Sequence, residues 1–168
     1  YMSNQFTSVV KIIEGASFVM NGGDISNNTL EHGGSNGLNA AVSVEGNKGS
    51  STMEMNGGTI TGNSAEYGGI LVGTFSTNYT LSNNFSNPAH YYSTGTLKLN
   101  GGTISNNTAA TLGGGIAING TGKLIMDGGT ISGNKAPFGG GIGVNDYLTS
   151  ADGRGYGEAR SVSYTHLR

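Results

Sequence analysis

Apolar residues in this chain recur at every second position over short stretches, and the stretches themselves recur. Phe18 and Met20, Met53 and Met55, Leu97 and Leu99, and Leu124 and Met126 flank Val19, Glu54, Lys98 and Ile125. A period of two predicts a strand with one buried face. A second set of segments, DIS, TIT, TIS and TIS, centres on Ile25, Ile60, Ile104 and Ile131, each isoleucine predicted inward and its polar neighbours outward. A third reads GGILV from Gly68, GGGIAIN from Gly113 and GGGIGVN from Gly139, with Ile116 and Ile118, and Ile142 and Val144, alternating. In the first repeat Val42-Ser43-Val44 is its nearest counterpart. No window carries a 3.6-residue stripe, so the chain is predicted to be all-β.

The segments belong to four copies of one unit, aligned on Gly22-Gly23, Gly57-Gly58, Gly101-Gly102 and Gly128-Gly129. Equivalent residues are 35, 44 and 27 positions apart. Periods of about 20–50 residues mark a solenoid or array. Asn21, Asn56, Asn100 and Asp127 precede the glycine pairs, and Asn28, Asn63, Asn107 and Asn134 follow each isoleucine by three. Asparagine and glycine tolerate positive φ, which suits tight corners. Three short strands cannot close a core alone, so equivalent strands are predicted to pair in parallel across repeats, isoleucine on isoleucine and asparagine on asparagine. The structural ladder is assigned to Asn28, Asn63, Asn107, Asn134, Ile25, Ile60, Ile104 and Ile131. The four methionines of the first segments read as core filling.

These repeats resemble the right-handed parallel β-helix (β-solenoid) repeats of bacterial surface and secreted proteins, in the pattern NGGTISGN followed by GGGIxV. More distantly, Ile104-x-x-Asn107 and Gly114-Gly115-Ile116 are similar to the FxxN and GGAI motifs of polymorphic outer-membrane, autotransporter-type adhesins, with isoleucine where that family has phenylalanine. The resemblance implies about four coils, truncated at both ends. It implies an extracellular or cell-surface location, with signal and anchor outside this fragment. The boundaries expected are a partial preceding coil or flank over 1–16, repeats over 17–149 with an insertion at 73–96, and an uncertain tail at 150–161. The final VSYTHLR, residues 162–168, resembles a translated sequencing adapter and is expected to be an artefact of a metagenomic fragment.

Composition narrows the function classes. The chain has 168 residues, 32 glycines, no cysteine, 11% charged residues and a net charge of −2. Without cysteine there is neither a disulfide framework nor a thiolate metal site. The charge offers no basic surface for nucleic acid or anionic lipid, and no apolar run approaches the ~20 residues of a membrane span. Disorder, the alternative for such a glycine- and asparagine-rich composition, is opposed by the apolar alternation.

Candidate chemistry is sparse. Asp24 and Asp127 lie three repeats apart, about 14 Å at strand spacing, beyond the roughly 5–9.5 Å of glycosidase carboxylate pairs. Glu54 and Lys98 share an outward position and are expected to face each other as an exposed pair. No arginine precedes Arg154, and His32 and His90 stand singly in expected loops. No cofactor, metal site or catalytic residue is assigned. Thr59-x-Thr61, Thr103-x-Ser105 and Thr130-x-Ser132 would form an outward hydroxyl array, similar to the arrays of ice-binding β-solenoids. The stretch 73–96 concentrates Phe75, Tyr79, Phe85, Tyr91 and Tyr92, which are candidate ligand-binding aromatics or packing residues of a loop.

The leading expectation is a noncatalytic adhesin-like stalk or display scaffold. Its partners would be host glycans or surface proteins and the further β-helix coils of the intact chain. Two alternatives stand beside it: a fragment of a β-helix polysaccharide lyase or glycoside hydrolase whose site lies on other coils, and an ice-binding solenoid.

Overall fold

A computed structural model of the chain describes residues 8–30, 39–46, 49–73, 94–120 and 122–145. Among them there is no helix, and every strand pairing is parallel. The first segments of the four repeats are β2 (Ser17–Met20), β5 (Ser51–Met55), β9 (Gly95–Leu99) and β13 (Lys123–Met126), which join in one sheet. The second segments are β3 (Asp24–Ser26), β6 (Thr59–Thr61), β10 (Thr103–Ser105) and β14 (Thr130–Ser132), which join in another. The third are β4 (Val42–Val44), β8 (Ile70–Val72), β12 (Ile116–Asn119) and β15 (Ile142–Asn145). β1 (Val10–Ile12) extends this last sheet to five strands in the order β1-β4-β8-β12-β15.

Register is strict. Ile25 faces Ile60, Ile60 faces Ile104 and Ile104 faces Ile131. Phe18 pairs with Met53, Met53 with Leu97 and Leu97 with Leu124. The side chains from the three sheets meet in one core that includes Met53, Met55, Ile60, Ile70, Leu97, Leu99, Ile104 and Ile116, all fully buried. Each such side chain removed from water contributes on the order of 1.5–3 kcal/mol. Because equivalent positions stack, isoleucine meets isoleucine through the second sheet and apolar side chains of varied shape meet in the first.

Three features depart from the sequence reading. A fourth short segment exists: β7 (Ser64–Ala65) pairs with β11 (Thr108–Ala109), and bridges from Thr29 to Ser64 and from Thr108 to Lys135 carry the line through all four repeats. Two-residue strands have no periodicity to read, and parallel neighbours alone define them. The residues with positive φ at this corner are Asn27 and Asn106, with Gly62 and Gly133 in the other repeats, one position before the expected asparagines. Asparagine and glycine alternate there because both reach the left-handed region at little cost. The five-stranded sheet is covered on both faces over β4, β8 and β12. Its outward column Ser43, Leu71 and Ala117 is buried, with Tyr67 and Leu112 packed against Leu71, Ala117 and Ala40.

Candidate functional site

The second corner of each repeat builds the most highly bonded polar feature among the described residues. Asn63 is 1% exposed and Asn107 is fully buried. The Asn28 Nδ2 donates to Asn63 Oδ1 at 2.8 Å, Asn63 Nδ2 to Asn107 Oδ1 at 2.9 Å, and Asn107 Nδ2 to Asn134 Oδ1 at 3.0 Å. Each accepting oxygen also takes the backbone N–H of the asparagine before it, at 3.1, 3.0 and 2.9 Å. The second hydrogen of each amide reaches back: Asn63 Nδ2 donates to Ile25 O, Asn107 to Ile60 O and Asn134 to Ile104 O, all at 2.9 Å. The amide of Asn107 is therefore saturated, as burial demands.

A second amide row runs on the exposed corner between the first two sheets, with opposite polarity. Asn56 Nδ2 donates to Asn21 Oδ1 at 2.9 Å, and Asn100 Nδ2 to Asn56 Oδ1 at 2.8 Å. The row stops at the fourth repeat because Asp127, as a carboxylate, has no proton to give to Asn100. Both rows were visible as recurring asparagines, but their polarity and different saturation depend on geometry.

The outward face of the β3-β6-β10-β14 sheet aligns Asp24, Thr59, Thr103 and Thr130 in one row and Ser26, Thr61, Ser105 and Ser132 in the next. Thr59 Oγ1 donates to Asp24 Oδ1, and the hydroxyls of Thr61 and Ser105 bond at 3.0 Å. These hydroxyls thus spend part of their capacity on each other. On the neighbouring sheet Glu54 and Lys98 are opposite in register, yet no ion pair closes between them. Glu54 instead accepts from Asn100 Nδ2 at 3.3 Å. The pairing expected from sequence fails because a half-buried glutamate and an exposed lysine at the surface gain little from being held together. Lys11 and Glu45 do form an ion pair, at 3.1 Å.

The surroundings of Tyr67 displace its ionisation. Burial pushes its phenol above the ordinary tyrosine range, the Glu66 carboxylate adds to that, and hydrogen bonds with Thr111 and Asn119 oppose it. Among the described residues no three of histidine, cysteine, aspartate and glutamate gather as a metal site would require. No described helix is long and apolar enough to cross a membrane. Phe75, Tyr79, Phe85, Tyr91 and Tyr92, with His32 and His90, lie outside the described residues. Their segments do have a fixed place in the chain: residues 73–94 join β8 to β9, where residues 120–122 suffice to join β12 to β13. Compared with protein families, curated proteins and solved structures, the chain finds no match.

Proposed function

We propose that the chain is a segment of a right-handed parallel β-helix of about four coils, serving as a noncatalytic stalk or display scaffold of a bacterial surface or secreted protein. The observation that carries this reading is the unbroken register of the strands through every repeat, with the buried asparagine row running through all four. Length variation falls at corners while the paired strands keep their alignment. A stack that repeats its contacts at each level gains length without new design, and its loops are free to carry recognition. Right-handedness follows the rule for parallel strands joined by a crossover within one sheet, obeyed in about 98% of cases.

In this reading the aromatic insertion is the recognition element, suited to stacking on sugar rings or anchoring a protein partner. The discriminating experiment presents the purified chain to a panel of acidic and neutral polysaccharides, and separately to a glycan array. The reading predicts no release of reducing ends or unsaturated products, and array binding that disappears when residues 74–93 are replaced by a short glycine linker. Bond cleavage at a rate above the no-protein control would make the chain part of an enzyme.

A further inference from the structure

Among the described asparagines, Asn27, Asn106 and Asn119 stand two positions ahead of a threonine, in Asn27-Asn28-Thr29, Asn106-Asn107-Thr108 and Asn119-Gly120-Thr121. The triplet Asn-x-Thr is the acceptor signal for N-linked glycosylation, and a glycan needs an exposed place on the folded chain. The fold treats these asparagines differently. Asn119 is fully buried at the end of β12. Asn106 is exposed, and its exposure is set by described repeats on both sides, since β10 pairs with β6 and with β14.

Asn106 turns the corner after β10 with a φ of 53°. Its backbone N–H is held by Ser132 O at 3.0 Å, whereas its side-chain amide enters no hydrogen bond with the described residues. The amides of Asn63, Asn107, Asn56 and Asn100, by contrast, are all engaged in rows. Asn106 Oδ1 lies over the next repeat's Gly133, 2.5 Å from where a Cβ would stand, so the glycine keeps that place open. Packing does not ask for the Asn–Thr pair. The corner position runs Asn27, Gly62, Asn106 and Gly133 through the repeats. The position two later runs Thr29, Ser64, Thr108 and Lys135, joined by parallel bridges. Glycine at the first place and serine or lysine at the second also serve the fold, yet asparagine and threonine occur together.

We infer that Asn106 is an N-glycosylation acceptor, taking its sugar from a glycosyl-pyrophosphate donor carried on a nucleotide or on a lipid. The anomeric carbon of the sugar bonds to Nδ2 and its bond to the pyrophosphate oxygen breaks. The carrier leaves as its phosphate anion, and the amide proton passes to a base of the transferase. Asn107, the middle residue of the triplet, is fully buried and tied into its row, so the transferase reads the triplet before β10 and β11 take their places. Once the chain folds, the glycan stands at an exposed corner and every bond of the asparagine row is kept. The inference rests on the surface or secreted reading only for where the donor is met.

The test synthesises the full chain in a cell-free system in two arms. One holds a soluble transferase specific for Asn-x-Thr with a sugar nucleotide; the other holds a membrane oligosaccharyltransferase with its lipid-linked oligosaccharide. Neither arm needs export, so failure here is separate from failure of the surface reading. Mass spectrometry maps the occupied asparagines in the protease-resistant, folded product. Asn106 should be occupied in at least one arm, which identifies the donor. Its occupancy should exceed that of Asn119 by about tenfold or more, because a sugar on a buried asparagine leaves polar groups unpaired. Thr108→Ala should abolish occupancy at Asn106 and leave the urea midpoint unchanged, since Thr108 is exposed. The inference is overturned by no occupancy of Asn106 in either arm, by occupancy confined to protease-sensitive chains, or by equal occupancy of Asn119 in the folded product.

Discussion

The two asparagine rows are made of the same side chain at the same repeat spacing, and they do different work. In the buried row each internal amide uses both hydrogens and its oxygen, tying Asn63 and Asn107 to backbone atoms of the preceding repeat and side chains of the next. In the exposed row each rung is a single amide–amide bond that water can replace. The lesson is that recurrence in sequence marks where repeats touch, while burial sets how much a contact is worth. An unsatisfied buried polar group costs the full desolvation penalty, and an exposed one costs almost nothing.

The sharpest way to break the comparison is Asn107→Ala. It strips partners from Asn63, Asn134 and Ile60 O at once, inside the core. Stability in urea should fall by about 3–5 kcal/mol; a loss below about 1 kcal/mol would show that the buried row is no stronger than the exposed one. Asn107→Asp keeps the shape and replaces the donors with a carboxyl. Burial disfavours its charged form and raises its pKa in the fold. The raised pKa means stability is present at low pH and lost as pH rises through the folded value. Denaturation midpoints should therefore worsen from acid to neutral pH for Asn107→Asp, and stay nearly flat for the exposed Asn56→Asp. Asn56→Ala removes one accepted and one donated rung in water and should cost about 0.5–1 kcal/mol. The smallest effect sharpens the comparison from the other side. Asp127→Asn supplies the missing donor to Asn100 and should add about 0.5 kcal/mol, read as a small rise in melting temperature.

Much of the fold was legible in the alternation of apolar residues. Phe18/Met20 through Leu124/Met126 and the Ile25–Ile60–Ile104–Ile131 column are strong signals because one position in two must be apolar when one sheet face is buried. β7 and β11 escaped because Ser64-Ala65 and Thr108-Ala109 are too short for any period. The covered outer face of β8 and β12 left a trace, since ILV and IAI are continuous apolar runs of the kind parallel strands show when buried on both sides. What covers them, Tyr67 and Leu112, sits at a corner where no periodicity points. Leu112 occupies space that only a glycine leaves open: a Cβ at Gly143 would lie 2.5 Å from its Cδ1. Of the site, the asparagine positions could be read from recurrence, whereas hydrogen-bond direction could not, because an amide looks the same from either end of the chain.

The central claim is that equivalent residues of successive repeats stack in register, and the absence of native cysteine makes it directly measurable. Thr103 and Thr130 are register partners on the outward face, and Ser132 lies two residues beyond Thr130. Adjacent parallel strands lie about 4.8 Å apart, within disulfide reach, and a two-residue offset takes the pair to roughly 8 Å. Under mild oxidation the pair Thr103→Cys with Thr130→Cys should close quantitatively within one chain, while Thr103→Cys with Ser132→Cys should remain reduced. Closure of the offset pair in preference to the aligned one would contradict the register on which both asparagine rows depend.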